Sequence, residues 1–414
     1  MDRGILFLLG AGASRDAGLP LASELTQHIV GDINNTIQNA SLRRVINYVV
    51  ATMIGHRGKS GLNPKTMPDI ESVVSAVELL SNRTTIELVP FIQNWDPAID
   101  LLDQGSVWNP GWVEDVRQGV LNESGLMGGK LEQGLKGFME QHYKMGIDGN
   151  QYSTLMDELL RQLKKQLALS DSSPIQYLEP LIDLGKTGRI TIASINYDLT
   201  IETVAKNQGV KICRGIDSWN EKWKMEWCDS GIQLIKLHGS IDWGKGERKN
   251  PDFKTNLLMP EDTIVIMDDP SSTPSLPFVV YGKREKLRPQ GPFSELRTEF
   301  ISELRKTSHL IIVGYSFGDD HINELITKWL NSDPNRKLVI LDPNVPDRSR
   351  WNRNTFLNQI FSSLQRVERG NPAKVNVSRV LPIQSSAKLA LADLCMGIDR
   401  IDNMFEEYLA KVHN

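Results

Sequence analysis

The sequence predicts an α/β protein built on a doubly wound parallel sheet, with a large helical insertion and a helical C-terminus. Three observations lead there. Short apolar runs recur at 5–9, 189–196, 233–240, 263–267, 309–313 and 337–343. Amphipathic stretches separate several of them, as in HINELITKWL (321–330). Strands alternating with helices imply parallel pairing, with helices on both faces of the sheet. Between the first two runs lies a long stretch, from about 55 to 180, whose patterns are helical.

The first run, Ile5 to Leu9, is too short for a free-standing helix and ends at Gly10. It reads as a buried parallel strand. After Pro20, the residues Leu25, Ile29 and Ile33 stand at helical spacing. DIESVVSAVELL (69–80) follows Pro68 and reads as a helix, with Asp69 and Glu71 at the end its dipole favours for acids. Residues 82–110 scatter Trp, Pro and Gly without a period, and 130–169 reads as helix broken near Gly146 to Gly149. RITIASIN, QLIKLHGS and TIVIM are read as further strands. HLIIVGYSFGDDH begins as a strand and turns into a helix, and KLVILDP repeats the apolar strand pattern. The amphipathic segment 385–411 suits either an interface or packing back onto the sheet. The resulting division is a core of 1–54 and 181–345, a helical insertion at 55–180, and a mainly helical extension at 346–414.

The composition is that of an ordinary soluble globular chain: 414 residues, 40% hydrophobic, 24% charged, net charge -4. A net negative chain carries no strong basic field, so direct sequence-specific nucleic-acid binding is not expected. No apolar stretch approaches the roughly 18 residues of a membrane helix. The three cysteines include no C-x-x-C pair, which argues against a disulfide framework and a zinc cluster and for a reducing, cytoplasmic setting. The apolar opening followed by Ala11-Gly12-Ala13 imitates a secretory signal, but its Met-Asp-Arg head is barely positive and the later strands need a first strand like this one.

Parallel sheets bind ligands beyond the carboxyl ends of their strands. Four candidate segments stand at such ends: Gly10 to Ser14, Asn196 to Asp198, His238 with Gly239, and Gly314 to Asp319. In Gly10-Ala11-Gly12-Ala13-Ser14 the glycines allow close backbone approach, and amides at a helix start can hold phosphate oxygens. The full dinucleotide fingerprint fails, because Arg15 stands where a third glycine belongs. A tight turn without a ligand fits the same residues. Gly58-Lys59-Ser60 is not a P-loop, since Met53 occupies the place of that motif's first glycine. Asn196 and Asp198 suit either a ligand or the cap of a helix starting near Leu199. Asp342 suits a ribose hydroxyl or a turn before Pro343. A lone histidine is usually structural, yet His238 lies between an apolar strand and Gly239-Ser240, where a sheet edge should open.

Taken in order, these segments resemble the sirtuins. GAGASRDAGLP resembles their nucleotide-binding opening, SINYD their Asn-x-Asp segment, and KLHGS their catalytic His-Gly segment. VGYSFGDDHI and VILDP resemble their late nucleotide-binding strands. The resemblance implies a Rossmann-type sirtuin-like core. The departures are specific: no zinc module of two C-x-x-C pairs, LASEL after Leu19-Pro20 in place of a Phe-Arg pair, and Ile195 in place of glutamine before Asn196. In these it looks like the sirtuin-like effectors of bacterial anti-phage defence, which hydrolyse NAD. Too few residues follow Asp342 for a typical second sensing domain, which resembles the version paired with a HerA-type hexameric ATPase.

What the resemblance implies is an NAD glycohydrolase, with NAD as substrate, no zinc, and a homo-oligomer restrained until triggered. His238 would be the general base and Asn196 would orient water or ribose. Gly10, Ala11, Gly12 and Ser14 would grip the phosphates, with Gly239 and Gly314 beside them. Asp198 would support the nicotinamide side, and Ser316 and Asp342 the adenosine side. A protein deacylase or ADP-ribosyltransferase, or a non-catalytic NAD or ADP-ribose sensor, would use the same pocket.

Overall fold

A computed structural model describes residues 4–61, 67–83, 96–103, 150–170, 173–222, 224–245, 264–267, 276–280, 292–345 and 379–413. The expected helix over 130–149 and its break lie outside these residues. The chain forms two compact units, one of Met1–Leu25 with Leu160–Asn414 and one of Thr26–Leu159. Among the described residues no helix is long and apolar enough to cross a membrane.

The larger unit holds the sheet. Its strands are β1 (Gly4–Leu9), β2 (Arg189–Ser194), β3 (Ile212–Cys213), β4 (Gly231–Lys236), β5 (Gly239–Lys245), β6 (Ile264–Ile266), β7 (Pro277–Val279), β8 (Thr307–Val313), β9 (Lys337–Leu341) and β10 (Val380–Ile383). Seven of them pair in the order β10-β9-β8-β1-β2-β4-β3, every pair parallel. From β1 the chain proceeds to one neighbour, β2, while β8 to β10 build outward on the other side. The sheet therefore reverses its winding between β1 and β8, the place beyond the strand ends where sheets of this kind have their ligand crevice.

The apolar runs are continuous because both faces are covered. On β1, Leu6 and Leu8 join one core, while Phe7 and Leu9 join the other. β8 repeats the alternation with Leu310 and Ile312 against Ile311 and Val313. Helices Phe293–Lys306 and Asp320–Ser332 cover the first face through Phe300, Ile326 and Trp329. Helices Glu179–Thr187, Thr200–Gln208, Ala387–Leu394 and Ile398–His413 cover the second through Leu181, Val204, Leu391 and Phe405. Segment 385–411 thus packs back onto the sheet.

Several expectations are corrected. TIVIM yields β6, which belongs to a separate three-stranded antiparallel sheet, β6-β5-β7. QLIKLHGS is not one strand: β4 ends at Lys236, and a second strand starts at Gly239. The extension after 345 contributes β10, so it adds a strand as well as helices. Cys213 and Cys228, expected to stay reduced, are joined as a disulfide with Cα atoms 5.9 Å apart, a separation that suits the bond. Edge strand β3 brings Cys213 beside the segment leading into β4, a contact that cysteine spacing does not reveal.

The smaller unit is helical where described. It contains Ala40–Lys59, Ile70–Ser81 and Pro97–Asp103. Asp69 caps Ile70–Ser81 by accepting from Ser72 N at 2.8 Å. Arg83 pairs with Asp100 at 2.7 Å and Asp103 at 2.9 Å.

Candidate active site

The crevice floor is an interlock of two turns. After β1 the chain enters a short 3-10 helix, Ala11–Ala17, closed by Gly18 in the left-handed conformation. Gly10 N donates to Val313 O at 2.9 Å and Gly12 N to Gly314 O at 2.8 Å. Gly314 has φ 61, and a Cβ there would lie 2.3 Å from Ala13 N. Cβ atoms on Gly10 or Gly12 would likewise meet residues 314 and 315 at 2.6 and 2.7 Å. The glycines are required because two backbones touch. Both amides of Gly10 and Gly12 are engaged by the neighbouring turn, so these two residues shape the crevice floor through packing.

Asn196 extends this floor. Its Nδ2 donates to Gly10 O at 2.9 Å and to Ser14 Oγ at 3.3 Å. Ser14 Oγ lies 3.4 Å from Thr200 Oγ1. Asp198 Oδ1 accepts from Thr200 N at 3.0 Å and from Thr200 Oγ1 at 2.7 Å, the behaviour of a helix-start cap. Tyr177 OH, on the far side, donates to Ala13 O at 2.6 Å. The turns after β1 and β2 are thus one buried polar network.

His238 sits in the turn between β4 and β5 and is 4% exposed. Gly239 after it has φ 86, and a Cβ there would lie 2.5 Å from Phe278 O. The small sheet fixes this turn: Val280 N donates to His238 O at 2.9 Å, and Tyr197 OH donates to Val280 O at 2.9 Å. His238 Nε2 lies 3.1 Å from Asp319 Oδ2. Asp319 is the cap of helix Asp320–Ser332, with Oδ1 accepting from His321 N and Ile322 N. Tyr315 OH both receives Asp319 N and donates to Asp319 O, each at 3.1 Å. Phe317, the non-glycine residue with positive φ among those described (φ 56), is held by Asn323 Nδ2 on its carbonyl at 2.8 Å. A backbone kept there costs about 1–3 kcal/mol and persists where its surroundings over-determine it.

The structure therefore brings Gly10, Gly12, Ser14, Asn196, Asp198 and Gly314 into one contact network. Ala11 and Ser316 are exposed at its two turns. Asp342 lies one strand further out, at the end of β9, where Oδ1 accepts from Asn344 N at 2.7 Å. Asp319 closes the candidate segment Gly314 to Asp319, but the motifs assign it no role of its own. It follows β8 while His238 follows β4, so their bond reaches across the ends of β1 and β2. An aspartate before a helix signals a cap; nothing local signals its second partner.

A carboxylate only accepts, so the tautomer that suits this contact carries its proton on Nε2. Farther back, Lys236, Glu202, Asp242 and Arg214 form a second polar group. Burial pushes the Glu202 carboxyl up, against the pull of Lys236.

A doubly wound parallel sheet with polar groups gathered where its winding reverses is the architecture of nucleotide-binding α/β proteins. Residues 190–362 match the family model described as a SIR2-like domain, a span that includes Asn196, His238 and Gly314 and excludes β1 with its glycine turn. No curated protein matches the chain. Among solved structures, a triple mutant of a Sir2 homologue complexed with 2'-O-acetyl ADP ribose aligns at 13% identity over 96% of this chain and 92% of that one, TM-score 0.39. A mutant Sir2 homologue complexed with ADP ribose aligns at 10% over 98% and 93%, TM-score 0.38. A Sir2 homologue complexed with NAD aligns at 12% over 99% and 90%, TM-score 0.36.

Proposed function

We propose that the chain is an NAD glycohydrolase that splits the bond between nicotinamide and ribose, releasing nicotinamide and ADP-ribose. The observation that carries this is the buried His238–Asp319 pair, whose bond reaches across the ends of β1 and β2 beside Asn196 and the Gly10–Ser14 turn. The C1'–N bond breaks with its electron pair passing to the nicotinamide ring, which leaves neutral and needs no acid. The ribose develops oxocarbenium character. Water then bonds to C1', and its proton passes to His238 Nδ1, a general-base role worth about 10²–10⁴-fold. Asn196 orients the water or the ribose. Asp198 supports the nicotinamide side, and Ser316 and Asp342 the adenosine side. Asp319 holds the imidazole tautomer.

One feature favours water over a peptide acceptor. β5, which starts directly after His238, is paired on one edge by β6 and on the other by β7. Among the described residues Gly244 pairs on both edges, so at that point β5 has no edge to offer an extended peptide by strand addition. The resemblance of the motifs supports the remainder of the proposal: a homo-oligomeric effector that depletes NAD in anti-phage defence, beside a HerA-type ATPase.

The test is a chromatographic time course of the purified chain with NAD, alone and with a candidate ATPase partner, next to His238→Ala. Nicotinamide release that disappears in the variant is expected. NAD bound but never cleaved under any condition would make the chain a sensor instead.

A further inference from the structure

Lys236 is the last residue of β4 and is 2% exposed, although lysine is among the side chains least often buried. Its ammonium does not reach solvent. It donates to the main-chain oxygen of Asp198. Glu202 Oε1 lies 3.4 Å away and balances its charge. A second buried pair stands nearby, Arg214 with Asp242 Oδ2 at 2.6 Å, so the group is charge-balanced twice over.

The placement connects two parts of the site that the sheet alone does not join. Asp198 ends the Asn196–Asp198 turn after β2, and Lys236 lies two residues before His238 on β4. Strand pairing stops at Ser194 opposite Lys236, with one further bond from Leu237 N to Ser194 O at 2.9 Å. Beyond that point the turn leaves the ladder. Its side-chain bonds run toward Gly10, Ser14 and Thr200. On the β4 side, Lys236 ties its Asp198 carbonyl, while Ile241 N ties the carbonyl of Tyr197 at 2.9 Å.

We propose that Lys236 is a positioning residue of the glycohydrolase site: its buried ammonium, balanced by Glu202, holds the Asp198 carbonyl and thereby sets the Asn196 amide against the Gly10–Ser14 turn. This rests on the reading of the site given above. Lys236 touches no reacting atom and acts through Asn196. A misplacement of about 1 Å at a reacting group can cost on the order of 10²-fold in rate.

The test uses the full chain carrying Lys236→Met together with Glu202→Gln, which removes one charge of each sign and leaves no buried ion unpaired. Lys236→Met alone serves as a control for the stranded glutamate. Amide hydrogen exchange is measured over 195–200 and over 190–194, with nicotinamide release and ADP-ribose affinity measured alongside. The expected result is faster exchange at 195–200 with 190–194 unchanged. Turnover should fall about 10–100-fold while ADP-ribose affinity changes less than about threefold. Unchanged exchange in the turn overturns the proposal. So does faster exchange with full turnover, which would make Lys236 structural only. If the unsubstituted chain releases no nicotinamide, the glycohydrolase reading falls, and the exchange data still decide whether Lys236 holds the turn.

Discussion

Two buried histidines each face one aspartate, and their surroundings differ in an instructive way. His238 Nε2 meets Asp319 at 3.1 Å at the carboxyl end of the sheet; His309 Nε2 meets Asp402 at 2.9 Å near the amino end. Asp319 is itself buried and anchored by a helix start and by Tyr315. Asp402 is more open and shares its Oδ1 with Lys337 at 2.6 Å, while Ser308 Oγ occupies His309 Nδ1 at 2.9 Å. His309 is spent on both nitrogens and ties the last helix to β8. His238 has one nitrogen fixed by a carboxylate and stands at a turn beside the crevice. The same residue pair is a fastener at one end of the sheet and part of the candidate site at the other, and strand polarity decides which.

The largest expected effect breaks the comparison directly. His238→Ala should lower nicotinamide release by about 10²–10⁴-fold, with the fold retained at a cost of about 1–3 kcal/mol for the stranded Asp319 carboxylate. His309→Ala should keep full turnover and lose stability, about 1–3 kcal/mol, because it strands partners on β8 and the final helix. Turnover assays and denaturant curves on both variants check the pair. Equal losses of turnover in the two would remove the distinction.

Asp319→Asn comes next. The amide can accept from Nε2 but carries no charge to favour that tautomer or a protonated ring, so turnover should fall about 10²-fold. Ligand affinity should stay close to that of the parent chain, since Asp319 faces the imidazole. Weakened ADP-ribose binding in place of slower turnover, read by calorimetry, would instead put Asp319 in contact with ligand.

Much of this contrast was legible before folding. The period of the apolar runs gave β1, β2, β8 and β9, with Gly10, Asn196 and Gly314 at or just beyond the carboxyl ends of the first three. The partner of His238 was not legible, because the bond joins residues 81 apart through a sheet order that no local pattern encodes. TIVIM looked like a buried parallel strand since short apolar runs carry no information about pairing direction. β10 escaped notice because Pro382 reads as a strand breaker; it is tolerated there because β10 lies at the sheet edge. Lys236 drew no notice, because its burial depends on Glu202 and Asp198 arriving from the neighbouring helix and turn.

The smallest effect sharpens the fastener side. Burial alone would raise the Asp402 carboxyl, but its bonds to Lys337 and His309 outweigh that and hold it below the ordinary carboxylate range. A carboxylate depressed in the folded state adds stability above its unfolded value of about 3.9 and loses it as pH falls through the folded value. Asp402→Asn should therefore destabilise the chain at neutral pH and cease to do so in acid, where the parent has lost the same interaction. The carboxylate is partly exposed, so screening limits the difference to about 1 kcal/mol or less. Urea midpoints of parent and variant, followed from neutral pH downward, should converge on the acid side. Two parallel curves would mean that Asp402 holds the helix by shape alone, and that the amino-end pair is not an electrostatic fastener at all.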